Sequence, residues 1–235
     1  MTQLALTLRL DGAARFETFV AGANRAALAH LGSAATERRG DFLWLWGRAG
    51  AGKSHLLQAA CRAADGAGRR AMYVPLGGAD VGAALLAELG GLDLVALDDV
   101  ERVAGDAAWE RALFALLDAR AAGGPSIAMA SGEAPASVPF ALPDLRSRAG
   151  AAAVYRLEPL RHEERLAALV EHARVRGIEL EPPVAEYLMR RVSRDMRELT
   201  RWLERLDRAS LEAQRRLTIP FVRSLLGEER EDASA

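Results

Sequence analysis

The residues best suited to chemistry form a glycine-rich run, Gly47-Arg48-Ala49-Gly50-Ala51-Gly52-Lys53-Ser54. The run fits the phosphate-binding pattern G-x-x-x-x-G-K-[ST] at every position. In such a loop Gly47, Gly50 and Gly52 let consecutive backbone N–H groups face an anion, and Lys53 reaches the terminal phosphates. The Ser54 hydroxyl would be a ligand of Mg²⁺. Lys53 is also the only lysine among the 31 Lys and Arg residues, so arginine serves every other basic position.

The segments on either side of this loop favour a real phosphate site. Residues 42–46 are an apolar run typical of a buried strand, and residues 55–64 have the composition of a helix. The order strand, glycine loop, helix places unpaired helical N–H groups at the phosphates. We therefore predict a nucleotide site for ATP or ADP with Mg²⁺, in which His55 also contributes. A glycine turn that happens to precede a helix is the alternative.

Two further strands are expected to end in polar residues of the same site. Residues 92–97 lead into Asp98 and Asp99, and residues 126–130 lead into Ser131. Asp98 could hold Mg²⁺ through water, and Asp99 could orient an attacking water. Ser131 would contact the γ-phosphate or position water. Two acids after a strand can also form a turn or a helix cap, but the preceding phosphate loop favours the catalytic role.

The order of the elements predicts the fold class. Strands are expected at 42–46, 71–76, 92–99, 126–131 and 152–157. The intervening helical segments indicate an α/β protein with a parallel sheet of about five strands, flanked by helices. Strand signals stop at residue 161, and helical segments follow. This pattern predicts a P-loop NTPase core followed by a small all-α lid, which is the AAA+ architecture.

Composition narrows the class of protein further. With 235 residues and 50% hydrophobic content, the chain can bury one large domain, or a main domain and a small one. No apolar run could span a membrane and no signal peptide is evident, so we expect a soluble, cytoplasmic protein. The net charge of −1 argues against a dedicated nucleic-acid-binding domain, and no sequence-specific DNA binding is expected. The arginines between 190 and 208 alternate with acids, as on a solvated helix face.

Several stretches together resemble the Hda family, the regulatory inactivators among the DnaA-like AAA+ proteins. Residues 47–57 are similar to the family's G-x-x-G-x-G-K-S-H-L-L loop. Residues 142–148 are similar to the box that carries an arginine finger, and residues 194–199 to the sensor 2 helix. Further similarity lies at 16–24, 206–210 and 217–222.

This resemblance implies specific roles for two arginines. Arg148 would be an arginine finger, offered in trans to the γ-phosphate that DnaA binds. Arg197 would touch the nucleotide bound to its own chain. The resemblance also implies that ADP is the resident nucleotide and that intrinsic turnover is weak. Without it, Arg148 would be interpreted as a solvated surface side chain.

The N-terminal residues suggest a second partner. Residues 3–8, Gln-Leu-Ala-Leu-Thr-Leu, are similar to the hexapeptide with which the family binds the DNA polymerase sliding clamp, its β subunit. Threonine replaces the usual proline of this hexapeptide. An ordinary N-terminal strand is the alternative, because the leucines alternate. The residues expected to bind the clamp are Gln3, Leu4, Leu6 and Leu8.

These inferences divide the chain into a clamp-binding segment (1–13), a nucleotide domain (14–160), a helical lid (161–226) and a disordered tail (227–235). The expected function is to bind the DNA-loaded clamp and stimulate ATP hydrolysis by DnaA, which prevents re-initiation. An autonomous, self-assembling AAA+ ATPase, such as a DnaA-like motor or helicase loader, is the alternative; homo-oligomers are compatible with either. A third, weaker hypothesis is a DNA-binding adaptor that acts through the arginine-rich lid.

Overall fold

The computed structural model describes residues 14–37, 40–78, 81–192 and 196–232. The chain divides into two compact units, of which the first ends at Pro159 and the second begins at Leu160. The clamp-binding segment 3–8 lies outside the described residues, so its role stays a prediction.

The first unit is built on a parallel sheet. Its strands lie in the order β2-β3-β4-β1-β5, and each pairs in parallel with its neighbours. This confirms the predicted α/β class and brings the carboxyl ends of the strands to one edge. The strands are β1 (Phe42–Trp46), β2 (Ala71–Pro75), β3 (Leu94–Asp98), β4 (Ser126–Ser131) and β5 (Ala153–Arg156).

Helices connect these strands. Pro143 starts the short α4, and the Asp106 carboxylate caps the first N–H groups of α3. The segment between β2 and β3 contains a 3₁₀ helix, Ala83–Gly91. Further 3₁₀ segments are Gly22–Asn24 and Val100–Val103. The α-helices are α1 (Arg25–Thr36), α2 (Lys53–Gly66), α3 (Ala107–Ala121) and α4 (Pro143–Ala149).

The sheet carries an apolar core on each face. Because side chains alternate along a strand, Trp44 of β1 packs on one face and Leu43 and Leu45 pack on the other. Leu113 of α3 belongs to the first core and Leu56 of α2 to the second. Burial on both faces explains why the strands are apolar throughout rather than alternating with polar residues.

The second unit is helical. Leu169, Leu188 and Leu203 are fully buried where its helices pack around one apolar core. None of the described helices combines the length and the apolar character needed to cross a membrane. The helices are α5 (His162–Val175), α6 (Pro182–Arg191), α7 (Met196–Ala213) and α8 (Ile219–Asp232).

The last helix extends into the segment from residue 227 that the sequence predicts as a disordered tail. Helix α8 continues to Asp232 and has 14 residues. The residues after Gly227 are mostly glutamate and arginine, which have good helix propensity, and no proline interrupts them. A polar composition alone therefore did not end the helix.

Candidate functional site

The loop between β1 and α2 has the backbone of an anion cradle. Gly47, Gly50 and Gly52 have φ angles of 152°, 77° and 93°, which side chains with a Cβ rarely adopt. A Cβ at Gly47 would lie 2.5 Å from the Leu157 carbonyl oxygen. Helix α2 begins at Lys53, directly after the loop, so its first N–H groups and positive dipole end lie at this turn. These features fit a bound phosphate chain.

Lys53 lies over the loop that it is predicted to serve. Its Nζ donates to the carbonyl oxygens of Gly47 and Arg48, at 2.7 and 3.2 Å. The ammonium is thus held at the cradle rather than extended into solvent. Ser54 follows in the first turn of α2 and is buried, with 6% of its surface exposed. The chemistry of this pair fits phosphate and Mg²⁺.

Asp98 is the last residue of β3 and is buried, with 2% of its surface exposed. Its Oδ2 accepts a 2.8 Å hydrogen bond from the Tyr73 hydroxyl, and its Oδ1 accepts from the Asp99 backbone N–H at 3.1 Å. These donors fix the carboxylate in one orientation. A fixed carboxylate at the carboxyl edge of a sheet fits the hydration shell of Mg²⁺.

Asp99 has an unusual backbone for a residue with a side chain. Its φ and ψ are 56° and 44°, in the left-handed region, and it immediately precedes the 3₁₀ segment Val100–Val103. Such conformations are uncommon outside glycine and cluster at functional sites. Its Oδ2 lies 3.9 Å from Nε of Arg102, and the side chain is 39% exposed. Asp99 is therefore accessible at the same edge as Asp98.

Ser131 stabilises the loop that follows β4. It is fully buried, and its Oγ accepts from the Glu133 backbone N–H at 3.1 Å. The Trp44 indole donates to the Glu133 carbonyl oxygen at 3.0 Å, and the Gly132 N–H donates to Oε1 of Glu101 at 2.9 Å. The predicted contact between Ser131 and nucleotide stays a prediction. Sequence reasoning missed Glu101, because nothing local links it to β4.

His55 binds a segment that precedes the core. We call residues 14–24 the N-terminal strap. The His55 Nε2 lies 2.9 Å from the Arg15 carbonyl oxygen, and its ring centre is 5.6 Å from that of Phe19. A Cβ at Gly52 would lie 2.7 Å from Phe19 Cε2, so the strap packs directly on the phosphate loop. The predicted contact of His55 with nucleotide stays a prediction.

The other end of the strap is fixed beyond β5. Asn24 is buried; its side-chain amide donates to the Glu158 carbonyl oxygen and accepts from the Glu158 N–H, both at 2.9 Å. This pairing is bidentate, so it fixes the orientation of the Asn24 side chain as well as its distance from Glu158. The strap is thus attached both at the phosphate loop and at Glu158, beyond β5.

Arg148 lies on the surface, on α4. Its guanidinium donates to Oδ1 of Asp118 at 2.7 Å, and its central carbon is 5.9 Å from the Phe114 ring centre. The side chains of Arg148 and Asp118 are 44% and 58% exposed. Exposed ion pairs contribute about 0–1 kcal/mol, so this pair exchanges readily for another acceptor. The finger role of Arg148 stays a prediction.

A buried carboxylate positions the start of α4. Glu110 of α3 is 1% exposed and accepts backbone hydrogen bonds from Gly105, Ala141 and Leu142, at 2.7, 2.8 and 2.6 Å. Burial alone would raise the pKa of Glu110. These three N–H groups and the charge of Arg146 outweigh burial, so the pKa lies below its ordinary value. Sequence reasoning missed Glu110, which has the pattern of an ordinary helical glutamate.

Arg197 is the second residue of α7 in the lid, and its side chain lies outside the described part of the structure. Its predicted contact with nucleotide therefore stays a prediction. Elsewhere in the lid, Arg190 pairs with Glu186 at 2.9 Å, and Arg205 stacks 4.3 Å from the Trp202 ring centre.

Comparison with known proteins agrees with this architecture. Residues 162–226 match the family model of the Hda lid domain. The chain is similar to domain III of the replication initiation protein DnaA from Thermotoga maritima, with 21% identity, a TM-score of 0.76, and coverage of 93% of this chain and 98% of that one. It is also similar to AMPPCP-bound DnaA from Aquifex aeolicus, with 25% identity, a TM-score of 0.68, and coverage of 85% and 66%.

A more distant similarity links the chain to another AAA+ protein that acts on DNA. The Thermotoga maritima RuvB Holliday junction branch migration motor is 19% identical, with a TM-score of 0.62 and coverage of 85% of this chain and 66% of that one. These structures confirm the predicted AAA+ fold with a helical lid. The first unit thus shares its fold with DnaA domain III, and residues 162–226 of the second unit match the Hda lid domain.

Proposed function

We propose that this chain binds an adenine nucleotide with Mg²⁺ and regulates replication initiation by acting on DnaA. The observation that carries the proposal is the match of residues 162–226 to the Hda lid domain, next to a DnaA-like AAA+ core. A similar DnaA has been solved with AMPPCP, which supports an adenine nucleotide as the ligand of loop 47–54.

The chain's own residues account for nucleotide binding. The N–H groups of loop 47–54 would receive the phosphates, and Lys53 would exchange its loop carbonyls for phosphate oxygens. Ser54 and the oriented carboxylate of Asp98 would hold Mg²⁺, which when bound neutralises phosphate charge. Asp99, exposed at the sheet edge, would orient water. ADP as the resident nucleotide, with weak intrinsic turnover, belongs to the proposal.

The regulatory step would use Arg148 on a partner. In this proposal its guanidinium leaves Asp118 and contacts the γ-phosphate of ATP bound to DnaA, where it stabilises negative charge that develops during hydrolysis. Such fingers change rates by about 10³-fold or more. The exposure of Arg148 supports this role, because a buried arginine could not reach another molecule.

Clamp binding is the part of the proposal that rests on residues 3–8 alone. An extended segment with a glutamine amide and alternate leucines can add to an apolar groove on a partner. Attachment to a DNA-loaded clamp would raise the local concentration of Arg148 near DnaA on the same DNA. No direct reading of DNA sequence is required.

The test is a reconstituted assay with ATP-bound DnaA, clamp and DNA, in which ATP hydrolysis by DnaA is measured. Arg148→Ala is expected to lose stimulation by at least about 100-fold. Arg111→Ala is the matched control, because Arg111 is an exposed arginine on neighbouring α3. Stimulation by Arg148→Ala equal to that of the wild type would refute the finger.

The clamp requirement is measured in the same assay. Gln3→Ala should lower stimulation only when clamp is present, and a clamp pull-down should show the matching loss of binding. If Gln3→Ala binds the clamp as well as the wild type does, clamp attachment through this segment is wrong. That result would leave the role of Arg148 to be judged by its own variant.

A further inference from the structure

Glu101 joins two strand ends that the nucleotide site requires. It lies in the 3₁₀ segment Val100–Val103, two residues after Asp99. Its Oε1 accepts the Gly132 N–H at 2.9 Å, just beyond the end of β4. A residue that follows β3 thus holds the backbone that follows β4.

The second oxygen of Glu101 is a buried acceptor. Its Oε2 is inaccessible to solvent and has no hydrogen-bond partner among the described residues. A buried carboxylate oxygen without a donor costs free energy, so its presence calls for a water, an ion or a functional role at this place. A water or another donor at this edge would satisfy it.

Two further hydrogen bonds restrain the loop that Glu101 holds, and its tip is exposed to solvent. Ser131 Oγ accepts the Glu133 N–H, and the Trp44 indole donates to the Glu133 carbonyl oxygen. Gly132 and Glu133 are themselves exposed. Of these restraints, only the one from Glu101 connects the loop to the Asp98–Asp99 end of β3.

We propose that Glu101 is a positioning residue of the nucleotide site, which couples the loop at Gly132 to Asp98 and Asp99 so that this edge distinguishes a nucleoside triphosphate from a diphosphate. The inference rests on the proposed nucleotide binding. Loop 47–54 and Lys53 hold the phosphates common to both nucleotides. The third phosphate of a bound triphosphate would need further contacts from the sheet edge, where Glu101 holds the Gly132 N–H.

The experiment compares binding of AMPPCP and ADP, each with Mg²⁺, to the full chain. Glu101→Ala is expected to weaken AMPPCP binding about 10-fold and to change ADP binding by less than about 2-fold. Hydrogen exchange at residues 131–133 should become faster. Glu88→Ala is the matched control, because Glu88 is exposed in the 3₁₀ segment Ala83–Gly91.

Two further variants act on the same contact. Glu101→Gln keeps an oxygen that can accept from Gly132 and should fall between Glu101→Ala and the wild type. Gly132→Ala approaches from the other side: its Cβ would lie 3.2 Å from Glu101 Oε1, so the carboxylate must shift. Gly132→Ala should also weaken the binding of AMPPCP more than the binding of ADP.

Faster exchange with unchanged AMPPCP binding would reduce Glu101 to a structural brace and overturn the inference. Equal weakening of AMPPCP and ADP would also overturn it. If the wild-type protein binds neither nucleotide, the proposed function itself fails, and the wild-type measurement alone identifies that case.

Discussion

At the scale of residues, Lys53 stands out by its side-chain type and by its contacts with the phosphate loop. It is the chain's only lysine, and it donates to two carbonyl oxygens of the phosphate loop. Arginine has the same charge, but its planar guanidinium is larger and directs its donors in a fixed fork. The position therefore depends on the shape of the cation as well as its charge.

Replacing Lys53 should strongly weaken nucleotide binding. Lys53→Ala and Lys53→Arg are both expected to weaken ADP binding by at least about 30-fold, since neither offers a compact donor at the loop. Arg48→Ala is the control, because it keeps the carbonyl that Lys53 contacts. Titration with a fluorescent adenine nucleotide gives the affinities. Wild-type affinity in Lys53→Arg would contradict this account of the site.

Asp118 holds Arg148 in the isolated chain, and the strength of that contact can be tested. Asp118→Asn should lower the free energy of unfolding by less than about 1 kcal/mol, because both side chains are exposed. It should not reduce stimulation of DnaA, since the pair must open for Arg148 to act. A loss as large as that of Arg148→Ala would instead show that Asp118 holds the active position.

At the scale of elements, the N-terminal strap and the start of α4 are each fixed to the core by a few contacts. Phe19 and His55 hold the strap at the phosphate loop, and Asn24 fixes its other end. Glu110 performs the corresponding task for α4. The strap should therefore respond to changes in the loop, and the position of Arg148 to changes at Glu110.

Gly52→Ala should both destabilise the first unit and release the strap. Its φ is 93°, and its new Cβ would lie 2.7 Å from Phe19 Cε2. We expect a loss of about 1–3 kcal/mol in unfolding free energy and faster hydrogen exchange at residues 15–19. Gly82→Ala is the control, because a Cβ at Gly82 would have no atom within 4 Å and the backbone φ of −108° suits alanine.

Phe19→Ala combined with Gly52→Ala separates the two causes. The double variant removes the steric conflict but keeps the backbone strain. Its loss in unfolding free energy should therefore be smaller than the sum of the losses in the two single variants. Additive losses would show that Phe19 does not limit this glycine.

Glu110 should make stability depend on pH at the acid end. Because its pKa is lowered in the folded state, its contribution is complete above the unfolded pKa of about 4.3 and is lost as pH falls through the folded pKa. Glu110→Gln should cost about 2 kcal/mol or more at pH 7, since an amide cannot accept from N–H groups on both sides.

The measurement for Glu110 is urea unfolding at pH 7 and near pH 3.5. The difference in unfolding free energy between wild type and Glu110→Gln should shrink at the lower pH. Glu88→Gln, at an exposed position, should have nearly the same unfolding free energy as the wild type at both pH values. A constant difference across pH would contradict the lowered pKa.

At the scale of the whole molecule, the chain combines a unit that contains the phosphate loop with a helical unit that matches the Hda lid domain. Both Asp98 and Asp99 are present, so an autonomous ATPase is the competing function. If the chain works in trans, intrinsic ATPase activity per molecule should stay low and constant as protein concentration rises. Rates that increase with concentration would favour a self-assembling motor. A colorimetric assay of phosphate release over a wide range of protein concentration distinguishes the two functions.

Much of the fold could be predicted because strands and helices depend on local periodicity. The strands and helix α2 were expected close to their observed positions, and the residues after 161 were expected to be helical. Helices α1 and α4 were not predicted as elements, since the buried side of α1 is mostly alanine and α4 has only seven residues. Helix α8 was predicted too short because its end is polar.

The amino-acid sequence by itself determined the phosphate loop, the acidic end of β3 and the α/β class, because each depends on neighbours along the chain. Only the tertiary structure decided that Tyr73 orients Asp98, that Glu101 holds Gly132, and that Arg148 pairs with Asp118. These partners are 25, 31 and 30 residues apart. They meet because of strand order, register and helix packing, which local spacing does not encode.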